Sequence, residues 1–197
     1  EQDGDRRRHH EDQRRVDLGD GHDAHVLGVG GDAGAAERAG QHGGDAVGPG
    51  GCADHFHAGL TADDPGYQRR AVCAQELSAV TAACLLTHRE LFLSLGGLDD
   101  LNLPVAFNDV DYCLRAGEAG WRIVWTPFAE LYHHESVSRG KDVTPQQLAR
   151  AQKELRYMKK RWAQRLKHDP AYNPNLSYDR PDFSLSHAPN VVLPWMK

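Results

Sequence analysis

The sequence predicts an α/β fold that ends in a long helix and an extended tail. Three observations carry this expectation. Short apolar runs at 80–86 and 121–125 have the length of strands. Helix-period patterns at 108–118 and 144–166 open on residues that cap helices. The two kinds of element alternate along the chain, the order that builds a sheet covered by helices.

Composition divides the chain. Residues 1–50 are rich in Asp, Gly, Ala, Arg and His and contain no Phe, Tyr, Trp, Ile, Met or Lys. Such a segment buries too little apolar surface to offset its ordering entropy, so it is expected to be irregular. It reads as a disordered tail, a linker, or an aberrant stretch such as GC-rich codons give when read out of register. From about residue 78 the composition is that of an ordinary globular protein. The expected parts are therefore 1–50, low-complexity; 51–143, the main α/β part; and 144–197, an amphipathic helix with a Pro- and Asn-rich tail.

The 197 residues carry 23 Lys and Arg against 28 Asp and Glu, a net charge of −5, so a general nucleic-acid-binding face is not indicated. No apolar run approaches the roughly 18 residues of a membrane span. The stretch from Glu1 to Arg15 is charged throughout and does not read as a signal peptide. Cys52, Cys73, Cys84 and Cys113 have no C-x-x-C spacing and read as reduced, mostly buried thiols of a cytoplasmic protein.

Taken in order, Asp63-Asp64-Pro65-Gly66 is turn chemistry, with Pro presetting φ and Gly accepting φ > 0. The run 80–86 is expected to be one buried strand. Thr87-His88-Arg89-Glu90 then reads as a capping box for a short helix ending at Gly96-Gly97. A loop through Pro104 leads to a second helix capped by Asn108 or Asp109 and closed at Gly120. Asp111 and Arg115, four apart, are expected to pair on its exposed side. A strand over 121–125 is expected to break at Thr126-Pro127, with an extended segment after it. Thr144-Pro145-Gln146-Gln147 opens the best helix, whose apolar stripe is Leu148, Ala151, Leu155, Met158, Trp162 and Leu166. Its opposite face carries Lys159-Lys160-Arg161, a solvated run or a contact to anionic lipid. After Asp169-Pro170 the tail is expected to wrap over a surface.

The residues able to carry chemistry are few. Asp109 at a helix start can project into a cleft as a general base, or can serve only as a helix cap. His133 at a strand end can be a metal ligand or a hydrogen-bonded histidine, with His134 the alternative ligand. His55 and His57 lie in low-complexity surroundings and read as solvated.

Five blocks, in order, resemble the C-terminal half of bacterial family 2 glycosyltransferases, rhamnosyltransferase-like members above all. They are Ser78-Ala79-Val80-Thr81-Ala82-Ala83-Cys84-Leu85-Leu86, Arg89-Glu90-Leu91-Phe92 with Gly96-Gly97-Leu98-Asp99, Phe107-Asn108-Asp109-Val110-Asp111-Tyr112-Cys113-Leu114-Arg115, Gly120-Trp121-Arg122-Ile123-Val124-Trp125-Thr126-Pro127, and Leu131-Tyr132-His133-His134-Glu135-Ser136-Val137-Ser138-Arg139-Gly140. The resemblance implies a partial GT-A, Rossmann-like nucleotide-diphospho-sugar transferase fold. It implies inverting transfer of a sugar from a nucleotide-diphosphate donor to a saccharide or lipid-linked acceptor, with Mg²⁺ or Mn²⁺, in surface polysaccharide synthesis. Expected localisation is cytoplasmic, extending to peripheral association with the inner face of the membrane. The family's acidic pair maps onto Asn108 and Asp109, with Asp109 the base and Asn108 a departure. Its metal-contacting histidine maps onto His133; Asp111 and Arg115 are supporting residues. No residue in 1–50 is acceptable as the family's Asp-x-Asp donor motif, so the chain looks like half an enzyme. An inactive fragment and a partner-dependent interaction module are the rival expectations.

Overall fold

The computed structural model describes residues 25–31, 44–48, 52–55, 64–131, 144–179, 182–191 and 195. Seven strands and four helices lie among them: β1 (His25–Gly31), β2 (Gly44–Gly48), β3 (Cys52–His55), β4 (Gln75–Leu77), β5 (Ala79–Val80), β6 (Leu85–Leu86), α1 (Arg89–Ser94), α2 (Asn108–Glu118), β7 (Arg122–Leu131), α3 (Pro145–Arg161) and α4 (Ala163–Lys167). The fold is mixed helix and strand, in keeping with the α/β expectation. One sheet has the order β4-β7-β1-β6; β1 runs parallel to β7 and antiparallel to β6. A second, antiparallel sheet has the order β3-β2-β5.

Strands β1 and β2 fall in the segment expected to be irregular. Average composition argues against that stretch folding alone, but a strand can be recruited by backbone hydrogen bonds to a neighbour. Here Val26, Leu27 and Gly28 pair with Ile123, Val124 and Trp125 of β7.

The 80–86 run is not one strand. It splits into β5, a 3-10 turn over Ala82–Cys84 and β6, so its two ends belong to different sheets. Thr81 causes the break: its hydroxyl oxygen accepts from the Ala83 amide at 3.3 Å and caps the turn. The expected capping box at Thr87 is also absent, and α1 begins after His88 with no side-chain cap. Thr87 Oγ1 instead lies 2.6 Å from the Tyr112 hydroxyl on α2, a partner in the core that local spacing does not reveal.

Both glycine endings hold. At the end of α1 the Gly97 amide donates to Phe92 O and the Gly96 amide to Leu93 O, with φ of +71° and +79°. At the end of α2 the Trp121 amide donates to Ala116 O and the Gly120 amide to Gly117 O, with Gly120 at φ +88°. These paired bonds close a helix only when the residue after its cap is left-handed, which glycine adopts without strain.

Strand β7 continues through Thr126-Pro127, where a break was expected. Proline has no amide to donate, and it sits where no ladder bond is required. Pairing with β4 ends at Trp125, and the register against β1 shifts between Val29 and Gly31. The predicted 144–166 helix is divided at Trp162 (φ −110°, ψ 21°) into α3 and α4.

Helix α2 lies at the centre. Val110, Asp111, Tyr112, Cys113, Leu114 and Ala116 are all buried, so little of it faces water. It shares one core with Ile123 and Trp125 of β7, Met158 of α3, Trp162 between α3 and α4, and Leu166 of α4. The tail supplies Tyr172, Leu176 and Phe183 to the same core. Of the cysteines, Cys113 is buried, Cys84 half-buried and Cys73 exposed, so the expectation of mostly buried thiols holds for one of these three. His57 and residues 132–143 lie outside the described residues; His55 falls in β3.

Candidate functional site

Three hydrogen bonds join α2 to the 78–87 segment and fix where Asp109 stands. Asp109 Oδ2 accepts from the Ala82 amide at 3.0 Å, Cys113 Sγ donates to Val80 O at 3.7 Å, and Tyr112 meets Thr87. The turn that splits the 80–86 run thus presents a backbone N–H to the acid at the start of α2. Two sequence blocks set apart by 27 residues meet at this contact. Asp109 Oδ1 also accepts from the Val110 amide at 2.9 Å. Each carboxylate oxygen has two lone pairs, so both oxygens keep room for a further donor. The side chain is half-buried, reachable from solvent.

Neither Asn108 nor Asp109 caps α2. The residue before the helix is Phe107, in the left-handed region at φ 63°, and no side chain closes the helix start. Asn108 and Asp109 are the first two residues of the helix. A non-glycine residue held left-handed stores strain that its surroundings must over-determine. Glu154 of α3 helps to hold it: buried and paired with Arg150 at 3.3 Å, it accepts from the Ala106 amide at 2.8 Å. Sequence reading missed Glu154; its signal is an acid lodged among Ala151, Leu155 and Met158 with a cation four residues before it.

Asp111 is not on an exposed face. It is fully buried and is the junction of a polar network. Its Oδ1 accepts from the Trp162 indole at 2.8 Å and lies 3.3 Å from Arg161 Nε; its Oδ2 accepts from Arg115 Nε at 2.7 Å. Arg115 then donates to Leu95 O at 2.6 Å and Gly97 O at 2.7 Å, tying the end of α1 to α2. The i,i+4 pair was foreseen, but not the indole 51 residues away that permits its burial. Asp99 extends the network, accepting from Tyr157 and Asn102. Burial works against its charge, but those hydrogen bonds and nearby Arg161 hold its carboxyl below the ordinary value. A recess of about 240 Å³ is lined by Leu95 to Asp100, Arg115 and Arg161; Asp109 is not part of it.

The predicted metal contacts, His133 and His134, lie outside the described residues. Among the described residues no group of three or more His, Cys, Asp or Glu side chains could hold a metal ion. The described donors therefore do not make up a shell for Mg²⁺ or Mn²⁺.

No protein-family model matches the chain, and no solved structure does. The chain is 51% identical over 146 residues to an uncharacterized protein of Sinorhizobium fredii, covering 74% of this chain and 16% of that protein. It is 40% identical over 111 residues to the O-antigen biosynthesis protein RfbC of Myxococcus xanthus, covering 56% of this chain and 8% of that one. It is 40% identical over 63 residues to the N-acetylglucosaminyl-diphospho-decaprenol L-rhamnosyltransferase of Mycobacterium tuberculosis, covering 32% of this chain and 20% of that one. The chain spans a fifth or less of the length of each of these relatives.

Proposed function

We propose that the chain is the acceptor-side part of an inverting, family 2 GT-A glycosyltransferase serving surface polysaccharide synthesis. Its donor would be a nucleotide-diphosphate sugar and its acceptor a saccharide or a lipid-linked sugar. The names of two relatives, an O-antigen biosynthesis protein and a rhamnosyltransferase acting on a diphospho-decaprenol sugar, support that class.

The observation that carries the reading is the placement of Asp109. A carboxylate at the start of the central helix, held by the Ala82 amide and open to solvent, is what a general base needs. In the proposed step the acceptor hydroxyl gives its proton to Asp109 as its oxygen bonds to the anomeric carbon. The bond from that carbon to the diphosphate oxygen breaks, and the nucleoside diphosphate leaves with the electron pair. His133 is retained as the proposed contact to Mg²⁺ or Mn²⁺, and no part of this step is assigned to the ion. Asp111 and Arg115 support the site through the network that fixes α2.

The test is transfer from a dTDP-sugar to a polyprenyl-diphospho-N-acetylglucosamine by a complete enzyme that contains this chain, read by mass spectrometry. Asp109→Asn is expected to lower turnover by about 10²–10⁴-fold, the usual worth of a positioned base, with an unchanged circular dichroism spectrum. Wild-type rates in that variant would remove Asp109 from the role. The second reading is an inactive fragment, on the observation that no acid in residues 1–50 fits the donor motif that the resemblance calls for. No turnover by the folded wild-type enzyme with a donor half present would select that reading. An interaction module docking through the stripe of the predicted 144–166 helix is not favoured, since Met158, Trp162 and Leu166 of that stripe are buried in the chain's own core.

A further inference from the structure

The charge of this acidic chain is strongly segregated. Residues 150–167 hold eight of its 23 Lys and Arg but only one of its 28 Asp and Glu, Glu154, and that acid is buried. Lys153, Arg156, Lys159, Lys160, Arg165 and Lys167 are all exposed. Among the described residues none of the six has a carboxylate within ion-pair distance. Lys153, Arg156 and Lys160 follow the three-then-four spacing that places side chains on one helix face. At about 1.5 Å rise per residue, residues 153–167 span roughly 20 Å.

We propose that this outer face of α3 and α4 is a docking surface for an anionic phospholipid membrane. A solvated helix ordinarily interleaves acids with its cations, and this one exposes cations alone. A single-stranded nucleic acid is the poorer fit, because no aromatic side chain is exposed among these cations for bases to stack on. The choice of membrane over nucleic acid also rests on the glycosyltransferase reading, in which the acceptor is lipid-linked. The apolar side of the helix is already used, with Met158, Trp162 and Leu166 buried in the core. Binding would therefore be adsorption by charge, without insertion, and would be released by salt.

Co-flotation of the purified chain with vesicles tests this without any sugar donor, so membrane binding and sugar transfer are scored separately. One set of vesicles is phosphatidylcholine alone; the other adds phosphatidylglycerol. The chain is expected to float only with the second set and to leave it as salt is raised. Each cation near an anionic surface is worth about a fivefold change in partitioning, so the triple variant Lys153→Gln, Arg156→Gln, Lys160→Gln should bind roughly 100-fold more weakly. These three positions are exposed, and an unchanged thermal melt would show the fold intact. Equal flotation with both vesicle sets, wild-type binding by the triple variant, indifference to salt, or tighter binding to duplex DNA than to the anionic vesicles at the same salt concentration would each overturn the proposal.

Discussion

Two buried acids show how far a single residue's role depends on partners remote in sequence. Asp111 reads locally as half of a surface ion pair, because only Arg115 is visible at helical spacing. The warning lay in its neighbours: Val110, Tyr112, Cys113 and Leu114 leave no polar face for it to share. What made burial possible was Trp162, whose indole N–H cannot be assigned to Asp111 by any periodicity. Asp111→Ala is expected to destabilise the chain by about 3–5 kcal/mol, because it leaves the Arg115 guanidinium and the indole without their acceptor. Urea unfolding would measure it, and a loss below 1 kcal/mol would mean that the network is peripheral. Asp169 is the second buried acid. Burial raises its pKa, and hydrogen bonds from Ser78 and the Ala171 amide offset this only in part. A folded value above the unfolded one means that the native state holds the proton more tightly. Stability is then expected to fall as pH rises from the ordinary carboxylate range through the raised value. Asp169→Asn should flatten that slope in thermal melts taken across acid pH, and an unchanged slope would assign it to other groups.

Elements were legible where the signal was local and backbone-based. The α3 start is closed as its sequence indicates: Thr144 Oγ1 accepts from the Gln147 amide and Gln147 Oε1 accepts from the Thr144 amide. Thr144→Ala should cost about 0.5–2 kcal/mol and lower the melting temperature accordingly, whereas Thr144→Ser should restore most of it. The glycine ends of α1 and α2 were equally readable, since a left-handed residue after a helix cap has few alternatives to glycine. Boundaries failed where side chains found distant partners. Thr87 gave its hydroxyl to Tyr112 instead of to a helix start, and Pro127 was tolerated because a shift in register left no bond for it to miss. The candidate site divides along the same line. Asp109 was named from its block, but the Ala82 amide that holds it became visible only once the turn at Thr81 had separated β5 from β6.

At the scale of the whole molecule, the tail is the part whose weight sequence most understated. A Pro- and Asn-rich segment is expected to lie over a surface, and part of it does: Leu185 is well exposed. Yet Tyr172, Leu176 and Phe183 are each less than a tenth exposed and complete the core next to α4 and the start of the main domain. Tyr172 donates to Ser177 O at 3.0 Å, which folds the tail back on itself, and burial pushes its phenol up to about 12, so it remains a donor at any ordinary pH. Phe183 stacks on Tyr67 at 4.7 Å between ring centres and lies under the Arg70 guanidinium. Three buried apolar side chains at about 1.5–3 kcal/mol each amount to several kcal/mol. A domain of this size is ordinarily stable by only about 5–15 kcal/mol in all. Deleting residues 170–197 is therefore expected to abolish cooperative unfolding, not to trim a surface. Urea titration followed by tryptophan fluorescence would show this, with Trp125 and Trp162 buried in the core as reporters. A truncated chain with the midpoint of the full one would mean that the tail merely rests on a core able to close without it.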